Sequence, residues 1–312
     1  MAEARPAPPH LLVVFLDGVG IGAPSDANPL RDTPPAFRRL TGGAPWTAPL
    51  PEIALPGHVV RILDATLGVP GLPQSGTGQT ALYTGRNAPE IAGRHYGPTP
   101  HSATFETLRT DSLWARLLGA GLAADDLCFA NAYPDAFFAS VAQRGRWPTA
   151  ARMTRDAGLR LRTHADVAAG TGLAADLTAD GWRTHLGLDV PAITPADAGA
   201  RLHALARAHR VTLYEFYHTD EAGHTQDPAV AADTLARVDA FLGAIVDRLD
   251  PAHDLLVLTS DHGNLEDLSV RTHTTNPVPL VALGRGADAF AGATSLVDVT
   301  PALVRVAAGG GV

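Results

Sequence analysis

The 312-residue chain has no lysine; its 24 basic residues are all arginine. The absence matters first at 73–85, PQSGTGQTALYTG, a Gly-rich loop carrying Ser75, Thr77 and Thr80 ahead of a run that can start a helix. A phosphate-cradling P-loop reads G-x-x-x-x-G-K-[ST] and needs its lysine to reach the terminal phosphates. That reading is excluded, and a nucleophile site and an ordinary turn stay open. A single cysteine, Cys128, excludes an internal disulfide and leaves nothing that asks for an oxidising compartment. In the apolar run LCFA it reads as a buried, inert thiol. Long apolar runs are missing too: LLVVFL (11–16), after a polar, proline-rich start, is too short for a signal-peptide core or a membrane span, so a cytoplasmic location is expected. There is no basic tract, and a formal charge of -8 with a pI near 5.9 turns away nucleic acid and anionic membranes as partners. A small anionic substrate stays compatible, because a few arginines or metal ions bind it against the global sign. No internal repeat is present, and the terminal GGGV is expected to fray.

What is present is a series of short apolar runs rich in β-formers: 11–16, 126–133, 211–216, 255–260 and 279–283. Continuous rather than alternating apolar runs suit strands covered on both faces, the environment of a parallel sheet. Helical patterns lie between them. In 229–249, Leu235, Val238, Phe241, Leu242, Ile245 and Leu249 recur at three- and four-residue spacing. SLWARLLGAG (112–121) closes on a glycine suited to a C-cap, and Thr300-Pro301 reads as N-cap and first-turn proline of a last helix. Strands alternating with helices predict an α/β fold with a doubly wound, mostly parallel sheet, as one domain over 1–312. Residues 140–195, rich in Arg, Thr, Asp and Gly without strong periodicity, are expected to form a small element inserted over the sheet edge.

The chemistry sits after the strands. LLVVFL runs into Asp17, VTLYEF into a segment with Asp220 and His224, and LLVLTS into Asp261-His262; His273 precedes the last strand. Ligands of open α/β sheets bind at the carboxyl ends of the strands, so these distant segments can converge. Three carboxylates with three imidazoles suit zinc or manganese better than calcium or magnesium. Six ligands exceed one tetrahedral site with an open position and match two metals, the arrangement that serves phosphoryl transfer. Ser75 then has a role, as a hydroxyl activated to attack phosphorus.

Asp17 after an apolar strand, Asp220-x-x-x-His224, TSDHGN (259–264) and HTTNPVP (273–279) resemble the metalloenzyme core of the alkaline phosphatase superfamily, in the branch of cofactor-independent phosphoglycerate mutase and phosphopentomutase. DGVGIGAPSDA (17–27) is similar to the phosphopentomutase opening. The resemblance implies a nucleophile ten residues before the glycine that closes its helix-starting segment, which selects Ser75 before Gly85 over Thr77 and Thr80. It further implies Asp17, Ser75, Asp261 and His262 around one divalent ion, and Asp220, His224 and His273 around a second, the ions being Mn or Zn.

Two departures from that branch bear on the reaction. The mutases carry a cap domain after the nucleophile segment, whereas here only 86–111 separate TGR from SLWARLL, so the cap is expected to be reduced or absent. The glycerate mutases also use an active-site lysine, and this chain has none. Arg86, Asn131 or an arginine of the 140–162 stretch (Arg144, Arg146, Arg152) are the substitutes considered for binding phosphate. The expectation is a hydrolase acting on a small phosphoester, a phosphatase or phosphodiesterase. A phosphomutase with a reduced cap is the alternative, and a non-catalytic metal-binding module the reading of a different class. The sequence leaves the oligomeric state open.

Overall fold

Strand β1 (His10–Leu16) is buried on both faces almost along its whole length, and the remaining architecture follows from how it is covered. The computed structural model describes residues 8–309, so the last three residues of the GGGV terminus lie outside it. The other strands are β2 (Ile53–Leu55), β3 (His58–Leu63), β4 (Leu127–Phe129), β5 (Ala132–Tyr133), β6 (Arg162–Thr163), β7 (Val211–Phe216), β8 (Asp254–Thr259) and β9 (Val278–Gly284). Seven of them form one sheet in the order β2-β3-β9-β8-β1-β7-β4. Its β8-β1-β7-β4 half is parallel. β9 runs antiparallel to β8, and the β2–β3 hairpin adds a further antiparallel edge. The sheet is thus mixed, and the hairpin was not among the strands read from the sequence.

Alternation along β1 divides the core. Leu11, Val13 and Phe15 face the Ser75–Thr84, Leu113–Gly119 and Val299–Ala307 helices, while Leu12, Val14 and Leu16 face Pro195–Ala208 and Pro228–Val246. Two such layers are what continuous apolar strands demand. The last helix starts at Val299, one residue before the expected cap, because Thr300 turns its hydroxyl to the Leu82 carbonyl of the Ser75–Thr84 helix at 2.7 Å. The 112–121 pattern is a helix over Leu113–Gly119, with Ala120 as C-cap and Gly121 just beyond it in the left-handed region.

The run 126–133 is not one strand. It leaves the main sheet after Phe129, and Ala132–Tyr133 pair instead with Arg162–Thr163 in a separate two-stranded sheet. Val167, Ala174, Ala179 and Val190 make a satellite core there with Ala132. The Thr149–Asp156 helix packs into the main core through Ala150 and Met153. Residues 86–111 hold only short helices (Ala88–Ala92, Ser102–Thr104, Phe105–Asp111), and no cap domain is evident among the described residues.

Candidate metal centre

The parallel strands β1, β7 and β8 deliver Asp17, the 217–224 segment and Asp261-His262 to one end of the sheet. β9 enters from that end because it runs the other way, so His273, five residues before it, joins them. The Ser75–Thr84 helix starts at the same place, with Ser75 in its first turn, where the positive end of the helix dipole favours an anion. Two glycines permit the convergence. Gly18 has a φ of +68°, and a Cβ there would lie 2.6 Å from Asp220 Oδ1; a Cβ on Gly76 would lie 2.1 Å from the Thr99 carbonyl.

All seven expected residues are brought together. Ser75 Oγ lies 2.9 Å from His262 Nε2, which is 3.3 Å from Asp17 Oδ1 and 3.6 Å from Asp261 Oδ2. Beside them, His273 Nε2 is 3.2 Å from His224 Nε2 and 3.5 Å from Asp220 Oδ1, and His224 Nε2 is 3.3 Å from Asp220 Oδ2. The His262 and His273 rings stack at 3.8 Å and join the two groups. Ligand atoms of Asp17, Asp261 and His262 lie within 4.8 Å of one another, as do those of Asp220, His262 and His273.

Two observations fit divalent cations. Asp17 Oδ1 and Asp261 Oδ2 are buried oxygens without a hydrogen-bond partner, a costly state for carboxylates unless a cation faces them. The histidines supply the second. Nδ1 of His273 and of His224 face the Pro73 and Arg271 carbonyls at 2.7 and 3.0 Å. A carbonyl only accepts, so these nitrogens carry the protons, and two Nε2 lone pairs then confront each other at 3.2 Å. A proton or a metal between them resolves the conflict, and fixing the second ring nitrogen in this way is the usual manner of orienting a metal-binding imidazole.

The electrostatics agree. Burial, reinforced by each other's charge, pushes the carboxyls of Asp17 and Asp261 above the usual range. Burial disfavours charge on His262, yet the Asp261 and Asp17 carboxylates outweigh it and hold the imidazole up to about 10. His273 is pushed down to about 4 by burial and by His262. Bound dications would reverse the shifts of Asp17, Asp261 and His262 and reinforce that of His273, stabilising carboxylates and neutral imidazoles together.

Supporting residues that the sequence reading missed hold the ligands in place. Gln79 donates to Asp17 Oδ2 at 3.1 Å, and Asn264 to Asp220 Oδ1 at 2.7 Å. Buried Glu266 accepts from the Gly20 and Asn264 amides at 2.9 and 2.8 Å and from Asn276 at 3.1 Å, tying three loops together. The pairing of DHGN with a nearby Glu was the available signal. Thr77 is fully buried, and its hydroxyl accepts from the Tyr96 amide at 3.1 Å, whereas Ser75 borders the cavity. Cys128 is buried away from the centre, and burial pushes its thiol up.

The residues considered for binding phosphate lie elsewhere. Asn131 spends its amide on the Glu215 backbone, both bonds at 2.8 Å, because it bridges the point where the chain leaves β4. Arg86 pairs with Asp111 at 2.7 Å, and neither it nor Asn131 lines the cavity of about 530 Å³ that opens on Ser75 and Asp17. Arg146 and Arg152 line a separate cavity of about 290 Å³ with Arg94, and Arg144 ends an exposed helix.

Residues 197–308 match the family model described as Metalloenzyme superfamily. The 2,3-bisphosphoglycerate-independent phosphoglycerate mutase of Cereibacter sphaeroides is 30% identical over 124 residues, 37% of this chain and 24% of that protein. The match therefore spans about a quarter of the length of such relatives. Among solved structures, the alkaline phosphatase of the Antarctic bacterium TAB5 superposes with a TM-score of 0.52 at 11% identity, covering 96% of this chain and 98% of that one. The phosphoglycerate mutase of Leishmania mexicana gives 0.51 at 12% identity, covering 98% and 96%. The chain thus shares the fold of an alkaline phosphatase and of a phosphoglycerate mutase, and its C-terminal third is similar to the Metalloenzyme superfamily.

Proposed function

We propose that this protein is a metal-dependent phosphatase or phosphodiesterase that uses Ser75 as its nucleophile on a small phosphoester. The observation that carries the reading is the Ser75 hydroxyl, 2.9 Å from His262 beside two orphaned carboxylate oxygens, at a cavity with no cap domain above it among the described residues. Asp17, Ser75, Asp261 and His262 would hold one divalent ion and Asp220, His224 and His273 the other, with manganese or zinc favoured by the mixed oxygen and nitrogen donors. When bound, the ions supply charge stabilisation to the phosphoryl oxygens and ease loss of the serine proton. Ser75 Oγ attacks phosphorus, the alcohol departs, and water cleaves the phosphoserine to release phosphate and restore the hydroxyl. The dipole of the Ser75–Thr84 helix favours the anionic group at its first turn.

A phosphomutase is the second reading, supported by the curated relatives. A mutase must shield its phosphoserine from water while the substrate turns, the usual work of a closing lid. The short 86–111 connection supplies no such domain, which favours hydrolysis. The test is phosphorus NMR of the manganese- or zinc-supplemented protein with 3-phosphoglycerate, ribose 5-phosphate and simple mono- and diesters. Release of inorganic phosphate is expected; conversion to a positional isomer with little free phosphate would establish the mutase.

A further inference from the structure

Strand β7, VTLYEF, is buried at every position, yet its fifth residue is a glutamate. Glu215 is 7% exposed. Tyr83 donates to its Oε1 at 2.5 Å, and no arginine or histidine pairs with the carboxyl among the described residues. The buried Tyr83 hydroxyl is its one side-chain partner among the described residues, the Asn131 amide engages the Glu215 backbone alone, and a neutral acceptor would serve that hydroxyl without burying an acid. What Glu215 does have is access, since it lines the 530 Å³ cavity that reaches Ser75 and Asp17.

The rest of that wall is aromatic and acidic. Tyr133, Phe137, Trp182 and Tyr217 line it, Tyr133 and Phe137 stacked at 4.0 Å, with Glu221 beside them. Among the described residues, no arginine or histidine lines it. Away from the two candidate ligand groups, an anionic substituent such as the carboxylate of a phosphoglycerate would meet Glu215, which has no charged partner among the described residues, and Glu221, which is paired with His218 at 2.7 Å. A positively charged substituent would meet aromatic rings, which attract cations through their quadrupoles, and a buried carboxyl with no cation of its own.

We propose that this cavity receives the alcohol portion of the phosphoester as an organic cation, an ammonium or quaternary ammonium group held between Glu215 and the side chains of Tyr133, Phe137, Trp182 and Tyr217. The substrate class is then a phosphoester of an amino alcohol. The inference rests on the phosphoester reading of the same site, and its test is built to fail separately.

The test uses three phosphate-free probes of one shape: choline, its neutral isostere 3,3-dimethylbutan-1-ol, and anionic 3,3-dimethylbutanoate. Each is titrated by ligand-observed NMR into the full chain with manganese-free zinc buffer. Choline should bind about tenfold more tightly than the neutral isostere, the size of a desolvated cation–π contact with a carboxylate partner, and the anion should bind most weakly. Glu215→Gln should abolish the preference and Ser75→Ala retain it. Trp182→Ala, at a half-buried wall position, covers the case of a misfolded Glu215 variant and should reduce the preference severalfold. Equal binding of choline and its isostere, or tighter binding of the anion, overturns the inference. Phosphate release from phosphocholine should likewise exceed that from 3,3-dimethylbutyl phosphate about tenfold in kcat/KM. Choline preference without turnover of any phosphoester would leave the cation pocket standing and sink the phosphoester reading. Turnover without charge preference would do the reverse.

Discussion

The two halves of the candidate centre are built differently. Asp261 and His262 have fully buried side chains, and Asp17 is nearly so, while His224 at the rim keeps 42% of its side chain exposed and Asp220 16%. The inner half contains both orphaned carboxylate oxygens; the rim half has its ring nitrogens and Asp220 tied to backbone and to Asn264. Charge that faces water is screened, and charge that does not must be matched by another charge. The inner half is therefore the part whose own stability depends on a cation, and the rim half the part that can exchange one. The chemistry is expected to concentrate at the boundary, where Ser75 touches His262.

The largest effect should come from that boundary. Ser75→Ala is expected to lower turnover by roughly a thousandfold or more, since the nucleophile is removed, while metal content falls little. Thr77→Ala, whose hydroxyl only braces the Tyr96 backbone, should cost far less. Steady-state kinetics on both variants decides this; a dead Thr77 variant beside an active Ser75 variant would end the assignment.

Metal analysis breaks or sharpens the comparison itself. Saturated protein should hold two manganese or zinc ions per chain; Asp261→Ala should lose the inner ion outright, whereas His224→Ala should hold its ion more weakly. One ion per saturated wild-type chain would refute the two-site reading. The same variants separate the halves in stability. Metal addition at a thousandfold excess over Kd should stabilise the fold by about 4 kcal/mol for each ion bound. Without metal, Asp261→Asn should be more stable than wild type by about 1–3 kcal/mol, because it relieves the crowding of two buried carboxyls around one imidazole and leaves Asp17 as the partner of His262, while His224→Ala should stay within about 0.5 kcal/mol. Urea melts with and without chelator read both, and a metal-free Asp261→Asn protein weaker than wild type would show that the orphaned oxygens are not a liability.

The inner half was also the more legible in sequence. Asp17, Asp261 and His262 follow strands whose continuous apolar character announces burial on both faces, and a polar residue at the end of such a strand stands out. The rim residues were legible through the spacing of Asp220 and His224 and through HTTNPVP. Residues acting on ligands from a distance were not: Gln79 and Glu266 work through loops adjacent only in the fold. The β2–β3 hairpin escaped because its first strand is only three residues long and largely exposed. Asn131, considered for phosphate in place of the missing lysine, was opaque for another reason: the chain departs from the sheet there and engages the amide as a substitute for lost backbone pairing. Glu215 went unremarked inside VTLYEF, where five neighbours argued for strand and none for chemistry.

The smallest effect concerns Glu215, a buried acid of the cavity wall outside both ligand groups. Burial, with only the Tyr83 hydroxyl to offset it and the Asp17 carboxylate adding to it, pushes its carboxyl up from 4.5 to about 8. A raised folded-state value means the folded protein keeps a proton that the unfolded chain gives up. The associated stability is fully present below about pH 4.5 and is lost as pH rises through about 8. Between pH 6 and 8 the metal-free protein should lose about 2 kcal/mol for this reason, and Glu215→Gln should flatten that part of the profile. Metal ions on Asp17 would cancel its repulsion and draw the Glu215 value down, so the slope should be shallower in the loaded protein. If loading leaves the slope unchanged, Glu215 does not sense the inner half, and the division between a charge-starved interior and a screened rim loses its simplest signature. Urea midpoints at half-unit pH steps, with and without zinc, for wild type and Glu215→Gln, make the comparison.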